Sequence, residues 1–209
     1  MPGLSGIAIV GMACRFPDAE DLPAYWRLLK EGRNAFRTPP ADRWSHEAFY
    51  SSSQRTQDRY YVPTGAFLGD VRSFAALEFG IPPRRVEVMD PQQRITLEAA
   101  ANVLLDAGYG PGQRPLNRRK VGTCIGLSCT EYRSLMGSRV VAGMMAAGDL
   151  GDGVEDATAF GAAVSRVATS RPFSAAGALG NMTAACVAQE LDLGGPAITV
   201  DAACASALV

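Results

Sequence analysis

Ala197-Ile-Thr-Val-Asp-Ala-Ala-Cys-Ala-Ser-Ala-Leu-Val209 is the stretch whose reading decides the fold. Ile198, Thr199 and Val200 are the β-branched residues of a short buried strand. Gly194, Gly195 and Pro196 punctuate its start. After Asp201 the composition shifts to small, helix-tolerant residues, so the strand is predicted to break into a helix at Cys204. A thiol at such a junction meets unpaired backbone N–H groups and the positive end of a helix dipole, both of which favour the thiolate. Ala202, Ala203 and Ala205 leave room for a sharp turn and for an approaching substrate. That is the logic of a nucleophile elbow built on sulfur. The other reading of Cys204 is core filler, because free cysteine is among the most buried residue types.

Outward from this stretch, composition narrows the class. The chain has 209 residues, and a chain of that size buries roughly 70% of its unfolded surface. Its 20 basic residues are balanced by 21 acidic ones, a net charge of −1, which argues against a phosphate-tracking nucleic-acid binder. No apolar run approaches the ~20 residues that span a bilayer. Met1 to Gly6 lack a basic start and a cleavage site, so no signal peptide is expected. Five scattered cysteines without a CxxC pair read as reduced thiols of a cytoplasmic protein, with no disulfide frame and no zinc site.

In chain order, Ile7 to Cys14 reads as an apolar strand around Gly11, and no GxGxxG follows to make it a dinucleotide site. Asp21 and Pro23 open a helix whose stripe is Leu22, Tyr25, Trp26 and Leu29, with Trp26 in the core and Gly32 as the stop. Residues 33–64 are an ordered surface excursion. It contains His46, the chain's one histidine, expected to be solvated. Asp90 and Pro91 start a second helix with Leu97, Ala101, Leu104 and Leu105 buried, Arg94 and Glu98 four apart, and Gly108 at its end. Val121 to Ser128 is a second core strand in which Gly122 and Gly126 permit close backbone approach. Cys124 and Cys129 are expected to be packed or inert thiols. A helical piece lies near Glu131 to Met136, where methionines could line an apolar substrate site or fill core. Arg171 to Leu179 reads as a loop. Asn181 caps a helix through Leu191, and Gly194 ends it.

Several of these segments resemble the β-ketoacyl synthase domains of modular type I polyketide synthases. Val200 to Val209 resembles their active-site signature, usually Asp-Thr-Ala-Cys-Ser-Ser-Ser-Leu-Val. Ala202 stands here for Thr, and Ala205 and Ala207 stand for Ser. Pro40 to Trp44 is similar to a Pro-x-x-Arg-Trp segment, Gly65 to Leu68 to Gly-Gly-Phe-Leu, and Phe79 to Arg84 to Phe-Gly-Ile-Ser-Pro-Arg. Glu78 replaces a phenylalanine there and must reach water or a basic partner. Met89-Asp-Pro-Gln-Gln-Arg94 matches its segment without change, and a scaffold role is expected for it, with pocket shaping or a subunit contact as the lesser reading. Many synthases carry an arginine near the position of Cys186.

The resemblance implies an α/β, thiolase-like fold, in which two similar halves stack as an αβαβα sandwich. Residues 1–209 would be the N-terminal part, ending within the nucleophile helix. It implies that Cys204 accepts an acyl group from a thioester. Decarboxylation of a malonyl-type extender on acyl carrier protein then drives a Claisen condensation, in polyketide or fatty acid biosynthesis. Substrates would arrive as phosphopantetheine thioesters, with no resident cofactor and no metal. The partners implied are acyl carrier protein, a C-terminal ketosynthase half that brings two histidines and a lysine, and a second copy in a homodimer. With one histidine of its own, the chain alone is expected not to condense. Two other readings are kept: a thiol hydrolase, which needs an acid and a histidine after the nucleophile, and a non-catalytic dimerisation or docking fragment.

Overall fold

The computed structural model describes residues 6–149, 156–167 and 171–208. In chain order the elements are α1 (Leu22–Lys30), β1 (Phe36–Arg37), α2 (His46–Phe49), β2 (Gly65–Ala66), α3 (Pro83–Val86), α4 (Pro91–Asp106), β3 (Thr123–Gly126), α5 (Tyr132–Ala147), α6 (Ala157–Val167), α7 (Ser174–Ala178), α8 (Met182–Glu190) and β4 (Ala197–Val200). Single 3-10 turns lie at Arg118–Lys120 and Ala203–Ala205. The chain divides into two compact units, Met1–Ser73 with Ala99–Arg114, and Phe74–Glu98 with Pro115–Val209.

In the first unit, α1 starts and stops as its sequence directs. The Asp21 carboxylate accepts the Ala24 N–H at 2.7 Å, Pro23 sits in the first turn, and Gly32 follows at φ +59°. Trp26, however, is not core: it is 63% exposed. Tyr25 takes the inward place against the Phe16 ring, 4.5 Å between centroids, and the next residue is turned about 100° away. Ile7 to Cys14 forms no strand, and Ile7, Ile9 and Val10 are exposed. A strand exists only by pairing, and no described strand pairs with this segment. It docks instead on the end of α4. Met12 N–H donates to Asp106 at 2.8 Å, and a Cβ on Gly11 would stand 2.7 Å from the Val103 carbonyl oxygen.

The excursion after residue 33 is tied down by arginines. β1 and β2 pair antiparallel, Phe36 with Ala66 and Arg37 with Gly65. Arg37 reaches Asp18 and the Phe67 carbonyl, both at 2.8 Å. Arg43 donates to the carbonyls of Leu68 and Gly69, and the Trp44 ring meets Phe67 edge-on.

The second unit is built on a pair of parallel strands. Thr123 to Gly126 of β3 lie against Ala197 to Val200 of β4 in register. Gly195 makes the approach possible, because a Cβ there would stand 2.6 Å from the Val121 carbonyl oxygen. Helix α8 is fastened to both strands: Thr123 Oγ1 donates to the Ala184 carbonyl, and Thr199 Oγ1 donates to that of Asn181. The strand face of Ile198 is half exposed, so β4 is not the fully buried strand its composition predicts. Its β-branched residues fit a pleated surface whichever side is covered.

Ile81, Met89, Leu97, Ala184 and Val187 are the apolar core of this unit. Leu97 is fully buried, whereas Leu105, also expected inside, is 47% exposed two turns further along α4. Gly108 follows that helix at φ +79°. Arg171 to Leu179 is no loop; it contains α7. Pro and Gly there read as breakers, but Gly177 serves packing. α7 lies on the chain at Val88 and Met89 so closely that a Cβ on Gly177 would sit 1.9 Å from the Val88 oxygen. α5 also runs further than the predicted piece, to Ala147, with Gly148 at φ +81° as its end. Asn181 precedes α8 but makes no side-chain cap, its backbone being already helical. Asp192 at φ +52°, not Gly194, makes the turn that follows the helix. Glu78 is exposed, where water satisfies its charge.

Candidate active site

Cys204 follows β4 in a tight, internally bonded turn. The strand ends at Val200, and the Asp201 carboxylate accepts the Ala203 N–H at 3.0 Å. Ala203 then adopts φ +48°, a left-handed conformation that costs an L-residue about 1–2 kcal/mol. Cys204 comes next, in the middle of the 3-10 turn Ala203–Ala205, and it is exposed. The core-filler reading of this thiol is therefore excluded. Among the described residues, the 3-10 turn is followed by turn through Leu208. Three residues align too few peptide dipoles to act on the sulfur.

What holds the turn is a pair of serines. Ser206 is buried, and its hydroxyl accepts the Ala202 N–H at 2.9 Å and donates to the Ala203 carbonyl at 2.7 Å. Ser128, just past the end of β3, donates to the same carbonyl at 3.3 Å. Ser206 can lie there because Gly126 has no side chain: a Cβ at 126 would be 2.9 Å from that of Ser206. The sequence signalled a close approach at Gly126 without saying what approaches.

The five cysteines are all free. Cys124 and Cys129 are exposed, not packed. Burial alternates along β3 with the strand period, and Cys124 falls on the open side. Cys14 lines a cleft of about 300 Å³ in the first unit, with Glu20, Asp21 and Asp106 around it. Burial first, and the Asp21 carboxylate second, raise its pKa, so Cys14 is held as the thiol. Cys186 is buried on α8, and its pKa is pushed up to about 11, mainly by burial, with Glu190 adding to the rise and Arg85 opposing it. Arg85 and Glu190 themselves pair at 2.7 Å.

A pH dependence follows from Cys186. An unfolded cysteine loses its proton near pH 8.5 to 9, whereas the folded one keeps it to about pH 11. The folded state binds the proton more tightly, so stability is intact below pH 8.5 and falls as pH rises toward 11. Denaturation curves between pH 8 and 11 should show this slope, and Cys186→Ala should remove it. In the native chain at pH 8, peptide mapping after brief iodoacetamide treatment should find Cys204 alkylated and Cys186 untouched.

The other residues singled out by sequence serve the scaffold. His46 is half-buried in α2; its Nδ1 lies 2.7 Å from the Tyr60 hydroxyl, and its ring stacks on Tyr50. It belongs to an aromatic cluster and not to open solvent. In Met89 to Arg94, the Asp90 N–H donates to the Gly177 carbonyl and the Asp90 carboxylate accepts the Gln92 N–H. Gln93 donates to the carbonyls of Ala176 and Leu179. This segment thus pins α7 against the start of α4. Met89 and Gln93 also border a small cavity with Arg85 and Cys186.

Known proteins match the chain over nearly its whole length. The family model described as the N-terminal domain of β-ketoacyl synthase matches residues 5–209. A phenolphthiocerol/phthiocerol polyketide synthase of Mycobacterium tuberculosis is 37% identical over 204 residues, 97% of this chain and 11% of that protein. Polyketide synthase PksL of Bacillus subtilis is 34% identical, again over 97% of this chain, but over 4% of its own length. The chain thus spans about a tenth or less of these relatives. Among solved structures, the oxazolomycin ketosynthase domain OzmH KS7 of Streptomyces albus JA3453 superposes with a TM-score of 0.70 at 31% identity, covering 96% of this chain and 30% of that domain. The ketosynthase from module 6 of the bacillaene synthase of Bacillus subtilis 168 gives 0.65 at 29%, covering 96% and 27%. The fold is accordingly thiolase-like, of which these residues make the N-terminal half. A strained strand-to-turn junction with an exposed thiol, in a chain matched from end to end by one domain model, gives the assignment: this chain belongs to the β-ketoacyl synthase family, as its N-terminal domain.

Proposed function

We propose that this chain is the acyl-accepting part of a polyketide ketosynthase, with Cys204 as the nucleophile. The observation that carries the reading is the exposed Cys204 set directly after a left-handed residue at the end of a parallel strand. In the first step the Cys204 thiol gives up its proton, and Sγ attacks the carbonyl of an acyl thioester. The new S–C bond replaces the donor's, and the donor thiol leaves with a proton. Backbone N–H groups, that of Cys204 among them, stabilise the oxyanion as it forms; one such donor is worth about 10²–10³ in rate. A malonyl-type thioester then loses CO₂, and the carbanion attacks the acyl carbon and expels Sγ.

The donor and the extender are carried on the phosphopantetheine of acyl carrier protein, in the cytoplasm. The decarboxylating histidines and lysine come from a C-terminal half, in a homodimer of complete domains. The one histidine of this chain, His46, is engaged with Tyr50 and Tyr60, which supports assigning the second step to groups beyond these residues. No helix among the described residues is long and apolar enough to cross a membrane.

The test is acyl transfer from an acyl-carrier-protein thioester to the purified chain, followed by peptide mapping. The acyl mass should appear on the Cys204 peptide. Release of CO₂ from the malonyl thioester should require an added C-terminal half. Acyl label on another cysteine, or none while Cys204 alkylates freely, would overturn the nucleophile assignment and favour a docking fragment. Free acid released at each turnover would indicate a hydrolase.

A further inference from the structure

We infer that Ser206 is a positioning residue for the Cys204 sulfur, acting by bridging the Asp201–Ala202 and Ala203–Cys204 peptide groups, which bracket Ala202 and Ala203. The inference rests on Cys204 being the acyl acceptor, and it concerns how that sulfur is aimed. Ala203 holds φ +48° without the freedom that glycine would have there. Nothing in an alanine side chain selects this conformation, so the surroundings must impose it. Ser206 does so from both sides. Its oxygen accepts the Ala202 N–H, of the Asp201–Ala202 peptide, at 2.9 Å, and its proton goes to the Ala203 carbonyl at 2.7 Å. The carbonyl is that of the Ala203–Cys204 peptide, so fixing it fixes the plane from which the Cys204 Cα projects.

Three further features support the clamp. Ser206 is buried while its neighbours Cys204, Ala205 and Ala207 are exposed, so its side chain faces inward where theirs face water. Ser128 approaches within 3.3 Å of the same carbonyl and 3.4 Å of Ser206 Oγ, so β3 buttresses the clamp from outside the turn. Gly126 supplies the space, because any side chain there meets the Ser206 backbone and Cβ.

Aim matters more to a thioester than to a small alkylating reagent. An acyl group must arrive with its carbonyl in line with Sγ and its oxygen at the donors, and a misplacement of about 1 Å can cost 10²-fold. Iodoacetamide has no oxyanion to place. Ser206→Ala should therefore lower the maximal rate of Cys204 acylation by about 10- to 100-fold, with the half-saturating thioester concentration changed less than threefold. Ser206→Thr, which keeps the hydroxyl, should recover most of that rate. Alkylation of Cys204 by iodoacetamide should stay within about threefold in all three proteins.

The experiment measures single-turnover acylation by acyl carrier protein thioester, and alkylation in parallel, on the full chain as wild type, Ser206→Ala, Ser206→Thr and Ser128→Ala. If the wild type is not acylated on Cys204, the nucleophile assignment fails. If it is acylated and Ser206→Ala is acylated equally fast, the clamp is overturned and the assignment stands. Equal loss in Ser206→Ala and Ser206→Thr, or loss of alkylation together with acylation, also overturns it. Should Ser206→Ala not fold, Ser128→Ala decides: removing the outer hydroxyl should slow acylation severalfold, and an unchanged rate counts against the clamp.

Discussion

Cys204→Ala should abolish acyl capture outright. No acyl-enzyme mass should appear, and condensation by the complete domain carrying this change should fall by at least about 10³-fold, as for the loss of a covalent nucleophile in enzymes whose groups act together. Cys204→Ser should not restore it, because a hydroxyl is a weak nucleophile without an adjacent base. Carrier protein binding should be unaffected, since a single exposed sulfur contributes little area. The measurement is intact-mass spectrometry after incubation with the acyl thioester, with Cys124→Ala and Cys129→Ala as controls. Those two thiols are exposed, as Cys204 is, so exposure alone predicts label on all three. The strand-to-turn geometry predicts label on Cys204 only. Undiminished acylation of the Cys204→Ala chain would remove the basis for the proposed mechanism.

Gly177→Ala should destabilise the second unit by about 3 kcal/mol, the upper range for overpacking a tight contact. The added Cβ would stand 1.9 Å from the Val88 oxygen and 2.7 Å from its carbonyl carbon. Both are backbone atoms, so no side chain can swing aside. The segment concerned is also bonded through the Asp90 N–H to the Gly177 carbonyl, 2.9 Å, and a shift of α7 stretches that bond too. Gly143→Ala in α5 is the matched opposite. A Cβ there meets nothing within 4 Å, and removing a mid-helix glycine should stabilise by about 0.5–1 kcal/mol. Urea denaturation of the two variants should therefore move midpoints in opposite directions. A Gly177→Ala midpoint at or above the wild-type value would refute the close packing of α7.

How much of this was legible beforehand depends on whether the information was local. The Asp21 cap, the Gly148 and Gly108 helix ends and the start of α4 at Pro91 are written in adjacent residues, and pattern reading located most of them. β3 and β4 were visible as strands bounded by glycine, but their parallel pairing was not. Burial was not legible. Trp26, Leu105, Ile198 and Cys124 are apolar residues whose exposure depends on which neighbouring element covers them, and that is a property of the tertiary arrangement. Ile7 to Cys14 has strand composition, but a strand needs a partner, and composition does not name one. At the site, Cys204 stood out because a thiol between a strand and small residues is chemically conspicuous. Ser206 did not, although its hydroxyl makes the contacts around the turn. Its role comes from an oxygen facing inward and from Gly126, 80 residues away, and neither fact is local.

The parallel strands also set the order in which the molecule can assemble. Thr123 pairs with Ala197, so about 70 residues of intervening chain must collapse before the first ladder bond closes, the kind of distant pairing that slows folding. Ser128 and Ser206 meet only after that closure. During refolding from denaturant, helices α5 and α8 should gain their circular dichroism early. The reactive turn should mature last, so an acyl thioester added at successive delays would report the final step of folding as the first appearance of label on sulfur.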